Sequence, residues 1–219
     1  MGTPSKALLC LHGTGSSGSI FRLQLAKIRL ALKDEFDFIF MDAPYPAPPG
    51  PGVLPVFASA APFHGWFGGS GATVEGRLET INASVSAAVE QWQARSSTKI
   101  VGLLAFSEGA LVASLLLWQQ QLGLLPWLPP MRFAALICCF LPDEASAYMA
   151  AHSGGGTTIC VPTLHLHGRR DFCLARARKL AKEHCDPGAA VILEFEGGHQ
   201  VPNRNEDCRE AINHIKRLT

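Results

Sequence analysis

A serine lies where an apolar run gives way to a segment of helical character, at Ala105-Phe106-Ser107-Glu108-Gly109. This setting is typical of a nucleophile elbow, in which a serine occupies a tight, strained turn between a strand and a helix. Small residues two positions before and after the serine let the two elements approach, and here these are Ala105, in place of the more usual glycine, and Gly109. The alternative is that Ser107 only caps the following helix, a common role of serine. The pattern favours a nucleophile.

A base and an acid follow at the ends of two later apolar runs. A nucleophilic serine needs a base to take its proton, and the base needs an acceptor to orient it. His199 follows a glycine pair after the run 191–195, and Asp171 follows the run 162–167. Their chain order, Ser then Asp then His, is that of the α/β-hydrolases. Asp143 follows another apolar run and is a second candidate for the acid, and Asp171 could instead cap a helix.

The first apolar run ends in a glycine-rich turn, residues 13–18. Acyl transfer builds negative charge on a carbonyl oxygen, and two backbone N–H groups usually stabilise it; we predict those of Thr14 and Glu108. The glycines at 13, 15 and 18 also match the Gly-x-Gly-x-x-Gly pattern of dinucleotide-binding turns. Only Asp42 stands near the position of a ribose ligand, and no Lys-Ser or Lys-Thr pair follows the glycines. The oxyanion role is therefore favoured over phosphate binding.

A zinc site is a further alternative for the same residues. His165 and His167 point to one side of a predicted strand, and Asp171 and His199 could complete a set of ligands. Such a site would leave Ser107 without a role. We therefore predict neither a metal ion nor another cofactor.

Six short apolar runs alternate with longer segments of mixed polarity, the pattern of a parallel sheet with helices on both faces. None of the runs alternates with polar residues, which is typical of strands buried on both sides. The predicted strands are 7–11, 36–41, 100–106, 133–140, 162–167 and 190–195. The predicted helices are 20–32, 77–95, 108–121, 172–184 and 203–218. The sequence thus predicts one α/β domain over residues 1–219.

The interval 43–76 shows no helical or strand period, and positions 44–62 hold seven of the fifteen prolines. Connections of this length are often functional lids. Four of its aromatic residues are predicted to bind substrate: Tyr45, Phe63, Trp66 and Phe67. We expect the interval to form the rim of a ligand pocket, joined by the apolar connection 122–131, whose Trp127 could face either ligand or core.

Composition argues against two classes of function. The chain carries 19 basic and 18 acidic side chains, so nucleic-acid binding lacks an electrostatic basis. The longest apolar stretch, 133–141, has about half the length that crosses a bilayer, and the N-terminus lacks the apolar core of a signal peptide.

Seven cysteines at irregular spacing indicate free thiols and a cytoplasmic location. Cys10 lies inside a predicted strand and is interpreted as a buried structural residue rather than a nucleophile.

Together these segments resemble the α/β-hydrolase superfamily, and within it the fungal FSH family of serine hydrolases, which includes polyketide-releasing thioesterases of the lovastatin type. The resemblance covers nearly the whole chain and rests on the segments 9–13, 42–44, 66–67, 106–109, 165–171 and 197–199. It implies a compact hydrolase with strand order 2-1-3-4-5-6 and no separate cap domain. It also implies a triad of Ser107, Asp171 and His199, with Thr14 and Glu108 as oxyanion donors.

The resemblance further implies hydrolysis of an ester or thioester through an acyl-enzyme. The expected substrate is a polyketide or fatty acyl chain on an acyl carrier protein or polyketide synthase. The alternatives are a small-ester carboxylesterase, a release enzyme that forms a lactone and, outside catalysis, a ligand receptor. Because carrier proteins are acidic, a cationic cluster after the fifth strand could dock one, although a solvated helix face is the simpler interpretation. The cluster comprises Arg169, Arg170, Arg176, Arg178, Lys179 and Lys182.

Overall fold

The computed structural model describes residues 4–68, 73–154 and 156–218. Within these ranges the strands are, in chain order, β1 (Lys6–Leu11), β2 (Phe36–Met41), β3 (Tyr45–Pro46), β4 (His64–Gly65), β5 (Lys99–Phe106), β6 (Phe133–Ile137), β7 (Thr163–Gly168) and β8 (Ala190–Phe195). Six of them form one sheet in the order β2-β1-β5-β6-β7-β8, and every neighbouring pair is parallel. When the six strands of this sheet are numbered 1 to 6 in chain order, their order in the sheet is 2-1-3-4-5-6. The predicted order is confirmed.

The helices are α1 (Gly18–Gln24), α2 (Ala26–Leu32), α3 (Val74–Gln93), α4 (Glu108–Gln121), α5 (Asp143–His152), α6 (Leu174–Glu183) and α7 (Asn205–Arg217). The predicted helix 20–32 is divided in two at Leu25, whose amide still bonds to the first of the two helices. Helix α5 was not predicted, and it contributes to the site described below. No helix in the described part of the chain is long and apolar enough to cross a membrane.

Helices cover both faces of the sheet, as the apolar strands require. Alternate residues of β1 divide between two cores: Leu9 and Leu11 face one, and Leu8 and Cys10 face the other. The first core lies under α3, α4, α5 and α6, and the second lies under α1, α2 and α7. Because β1 is buried on both sides, its sequence shows no polar alternation.

The central helix α4 is buried along almost its whole length, from Gly109 to Gln119. Its outer side is covered partly by the connection 122–131, which the side-chain amide of Gln120 holds by bonds to the carbonyl oxygens of Leu128 and Pro129 at 2.9 Å. Trp127 packs against the core there. None of residues 122–131 lines the cavity beside Ser107, so the expectation that this connection forms part of the pocket roof is wrong.

The interval 43–76 is more ordered than its sequence suggests. It contains the antiparallel pair of β3 and β4 and a short 3-10 helix, Ala58–Ala60. Helix α3 begins within it at Val74, where the Thr73 hydroxyl accepts the Gly76 amide at 3.2 Å. The part of the predicted rim at residues 69–72 lies outside the described residues.

Candidate active site

Ser107 occupies a strained turn between β5 and α4. Its φ of 53° and ψ of −120° lie in the left-handed region that non-glycine residues avoid. The turn is tight, because a Cβ atom at Gly109 would lie 2.4 Å from the carbonyl oxygens of Leu11 and His12. The Ser107 side chain makes no capping bond to α4. The simple helix-cap alternative therefore does not describe this serine.

Three side chains from three strand ends form one hydrogen-bonded series. Ser107 Oγ lies 2.7 Å from His199 Nε2, and His199 Nδ1 lies 2.9 Å from Asp171 Oδ2 and 3.0 Å from Oδ1. An ionised carboxylate can only accept, so Nδ1 carries the imidazole proton and Nε2 is free to accept the Ser107 hydroxyl proton. The arrangement can activate a hydroxyl as a nucleophile.

The turns that carry the acid and the base pack against each other. Gly168, at the end of β7, has room for no side chain, since a Cβ atom there would lie 2.1 Å from the Gly198 carbonyl oxygen. The Arg170 amide donates to the Gly197 carbonyl oxygen at 2.8 Å. The glycine pair before His199 therefore allows the two turns to approach closely enough for imidazole and carboxylate to meet.

Asp171 stays ionised although its side chain is 2% exposed. Burial is the largest influence on its pKa and raises it, but bonds from the Cys173 amide, the thiols of Cys138 and Cys173, and His199 together hold the pKa below its usual range. Asp143, the other candidate acid, is exposed at the start of α5. The carboxylate that contacts the base is that of Asp171.

The two strand histidines do not join this group. His165 Nε2 lies 3.0 Å from the Thr163 hydroxyl, and burial lowers the pKa of His165 to about 3. Among the described residues, the potential metal ligands that converge within 4.8 Å are Cys138, Asp171 and His199. The predicted alternative set of His165, His167, Asp171 and His199 does not converge on one metal position.

Thr14 and Glu108 both line the cavity into which Ser107 opens. The Glu108 amide belongs to the first turn of α4 and has no partner within the helix. At the start of α1, by contrast, the Gly18 amide donates to Asp42 Oδ1 at 2.8 Å. A carboxylate therefore already occupies the position where a phosphate would bind to the glycine-rich turn.

The Glu108 carboxylate fastens the interval 43–76 to the elbow. Its Oε2 accepts the Trp66 amide at 2.8 Å. Burial, the largest influence, raises the pKa of Glu108, and the neighbouring groups of Trp66, Thr14 and Phe67 offset that rise only in part. Trp66 is fully buried and donates its indole N–H to the His12 carbonyl oxygen at 2.8 Å. Trp66 therefore anchors the interval rather than contacting a substrate, contrary to the prediction.

We expect Glu108→Ala to destabilise the protein by about 2 kcal/mol, because the amide of the buried Trp66 loses its acceptor. Glu108→Gln, which retains one carbonyl acceptor, should lose about half as much. Urea unfolding measures both. Glu144→Ala is the matched control, since Glu144 lines the same cavity but is exposed, and it should change stability by less than about 0.5 kcal/mol. Equal losses for the Ala and control variants would contradict the anchoring role.

The cavity beside Ser107 has a volume of about 340 Å³ and a mostly apolar lining. Of the aromatic residues predicted to bind substrate, Phe67 lines it, whereas Tyr45 and Phe63 do not. The other apolar residues of the lining are Pro51, Val74, Phe106, Leu111, Leu115, Phe140, Pro142, Ala145, Tyr148 and Phe172. The helical spacing of Leu111 and Leu115 could have indicated a shared wall, but the sequence does not reveal which face of α4 meets the cavity.

The fold and the site together define an α/β-hydrolase: a parallel sheet bounded by helices, with a serine, an acid and a histidine following three of its strands in that order. The chain belongs to the family whose model is described as "Serine hydrolase (FSH1)", which matches residues 1–211. The family resemblance is thereby confirmed, and the protein is a serine hydrolase.

Two relatives from fungi cover almost the entire chain. "Esterase mlcF" from Penicillium citrinum is 47% identical, over 99% of this chain and 91% of its own length. The "Dihydromonacolin L-[lovastatin nonaketide synthase] thioesterase" from Aspergillus terreus is 45% identical, over 97% of this chain and 92% of its own length.

Solved structures share the fold at low sequence identity. An acyl-protein thioesterase 2 from Zea mays aligns with a TM-score of 0.65 and 18% identity, over 99% of this chain and 95% of its own. Esterase PE8 aligns with a TM-score of 0.67 and 19% identity, over 100% and 94%.

Proposed function

We propose that the protein is a thioesterase that releases a polyketide or fatty acyl chain from an acyl carrier protein or polyketide synthase. The observation that carries the proposal is the position of the Ser107 hydroxyl, bonded to His199, on the wall of an apolar cavity. A relative at 45% identity over nearly the whole chain is named as the thioesterase of a polyketide synthase, which supports the choice of substrate class.

In the proposed reaction Ser107 Oγ attacks the thioester carbonyl carbon while its proton passes to His199 Nε2. The amides of Thr14 and Glu108 stabilise the oxyanion of the tetrahedral intermediate. The intermediate breaks its carbon–sulfur bond, and the leaving thiolate takes the proton from His199. Water, deprotonated by the same imidazole, then attacks the acyl carbon. The second intermediate breaks its bond to Ser107 Oγ, which recovers the proton from His199, and the free acid leaves. Asp171 holds the Nδ1 proton throughout.

The apolar lining favours an acyl chain over a sugar or a peptide. Each methylene group that leaves water for such a wall contributes about 0.8 kcal/mol to the free energy of binding.

The cationic cluster gives weaker support to docking of a carrier protein than the cavity gives to binding of an acyl chain. Arg169 is paired with Glu196 at 2.9 Å, and the Arg178 Nε atom donates to Glu194 at 2.7 Å, so part of the predicted patch is already neutralised.

We expect kcat/KM for octanoyl-pantetheine to exceed that for acetyl-pantetheine by at least about 100-fold, because six more methylene groups enter the cavity. Steady-state turnover measured by thiol release provides the test.

A second candidate function, a carboxylesterase, is favoured by the name of the relative from Penicillium citrinum. Faster turnover of an octanoyl oxygen ester than of the thioester would support that candidate instead.

A variant that fills the cavity provides the matched control. Ala145, on the cavity wall in α5, is replaced by Trp. Ala145→Trp should lower kcat/KM for the octanoyl thioester at least about tenfold and leave the acetyl thioester within about threefold. Equal losses on both substrates would show that the acyl chain of the substrate does not bind in this cavity.

A further inference from the structure

Two thiols lie beside the carboxylate of Asp171. Cys173 donates twice to Asp171 Oδ1, through its backbone amide at 3.0 Å and through its sulfur at 3.1 Å. The same sulfur lies 3.6 Å from His199 Nδ1. Cys173 is 2% exposed. Oδ1 of Asp171 thus accepts twice from Cys173, while both carboxylate oxygens lie within 3.0 Å of His199 Nδ1.

Cys138, directly after β6, provides the second thiol. Its φ of 51° is, with that of Ser107, one of two left-handed values among the described non-glycine residues. This conformation places its sulfur within 4.8 Å of a carboxylate oxygen of Asp171 and 3.5 Å from the Gln200 carbonyl oxygen, in the turn that carries His199. The side chain is fully buried. Backbone strain of this kind persists where the surrounding structure enforces it, and it concentrates at functional sites.

Both thiols are protonated and therefore act as donors. Burial is the largest influence on each, and it raises the pKa of Cys173 to about 12 and that of Cys138 further above its usual range. A neutral thiol is a poor nucleophile but retains one S–H group to donate. Because the two sulfurs are buried, their acceptors are protein groups: the Asp171 carboxylate for Cys173 and the Gln200 carbonyl oxygen for Cys138.

We propose that Cys138 and Cys173 are positioning residues that hold the acid and the base of the triad together, so that the carboxylate meets His199 Nδ1. Cys173 donates its S–H to Asp171 Oδ1, and Cys138, beside the same carboxylate, donates its S–H to the turn of the base. This inference rests on the proposed function, because it assigns to the two thiols a part in the hydrolysis that Ser107, His199 and Asp171 perform.

The test compares Cys173→Ala with Cys173→Ser in the full chain. Cys173→Ala should lower kcat for octanoyl-pantetheine about tenfold with KM within about twofold, since the thiol acts through the acid and not on the substrate. Cys173→Ser keeps a donor at that position and should recover kcat to within about threefold of the parent. Thermal melting confirms that each variant is folded.

The pH profile provides a readout that a purely structural role would not change. Without the thiol donor, the charge of Asp171 is less compensated, so it stabilises the imidazolium form of His199 more strongly. The acid limb of kcat should therefore move to higher pH in Cys173→Ala, by about 0.3 unit or more, and return in Cys173→Ser.

Cys138→Gly separates the thiol from the backbone strain. Glycine adopts φ of 51° without penalty, so a variant that melts no lower than the parent but loses about tenfold in kcat assigns the effect to the sulfur. Cys139→Ala is the matched control, because Cys139 is also fully buried but its sulfur lies 3.6 Å from the Ser114 hydroxyl. This control should keep kcat within about twofold.

Two results overturn the thiol proposal while leaving the proposed function in place. One is wild-type kcat and an unchanged pH profile in Cys173→Ala and Cys138→Gly. The other is equal loss in Cys173→Ala and Cys173→Ser with no shift of the acid limb, which would indicate packing alone. The proposed function fails separately, if the parent protein neither hydrolyses octanoyl-pantetheine nor reacts with a fluorophosphonate at Ser107.

Discussion

Ser107→Ala should lower kcat on an acyl thioester about a million-fold, because it removes the hydroxyl oxygen that is hydrogen-bonded to His199 Nε2 on the wall of the cavity. The residual rate should still exceed that in water by about 1,000-fold, since the amides of Thr14 and Glu108 and the apolar cavity remain. Single-turnover hydrolysis and labelling by a fluorophosphonate measure the loss, and the labelling should disappear.

Ser114→Ala is the control for the serine replacement. Ser114 lies on the same helix, is fully buried, and donates its hydroxyl to the Ala110 carbonyl oxygen at 2.9 Å. Its replacement should leave turnover within about threefold. If Ser107→Ala retained more than a tenth of the parent activity, the acyl-enzyme mechanism would be excluded and another residue would have to be the nucleophile.

The elbow could be predicted from sequence because its constraints are local. Backbone carbonyl oxygens lie within 2.4 Å of where a Cβ atom of Gly109 would be, so only glycine fits, and the sequence shows that glycine directly. The positions of Asp171 and His199 are also predictable, because these residues follow β7 and β8. Parallel strands end at one edge of the sheet. Asp171 and His199 could therefore be predicted to lie near Ser107 without knowledge of the distances.

The lining of the cavity could not be predicted in the same way, because it depends on tertiary contacts. Trp66 and Phe67 are adjacent and aromatic. The indole N–H of Trp66 donates to the His12 carbonyl oxygen, and of the two residues Phe67 lines the cavity. Helix α5 has just two buried residues, Ala145 and Met149, so its sequence carries almost no helical period.

Strand β6 illustrates how strain escapes prediction from sequence. The apolar run predicted a strand to residue 140, but the strand ends at Ile137 because Cys138 turns into the left-handed region. The residue type does not indicate this left-handed conformation, since cysteine has no preference for positive φ. The turn directs the thiol to the acid and allows the following segment to continue towards the cavity, where Phe140 lies.

Asp171→Asn should lower kcat about 10,000-fold while the fold is retained. The amide nitrogen of asparagine would have to face a nitrogen that accepts, so His199 would carry its proton on Nε2 and could no longer accept the Ser107 hydroxyl proton. The pH profile and kcat on an acyl thioester provide the measurement, and KM should change little because the carboxylate does not line the cavity.

Asp143→Asn is the matched control for the acid, because Asp143 was the other carboxylate expected near the base. It is exposed at the start of α5, and its replacement should leave kcat within about twofold. A large loss in this variant with little in Asp171→Asn would mean that Asp143, and not Asp171, orients the imidazole. The geometry predicts the opposite, because Asp171 accepts from the Cys173 amide at 3.0 Å and the Cys173 thiol at 3.1 Å and lies 2.9 Å from His199 Nδ1.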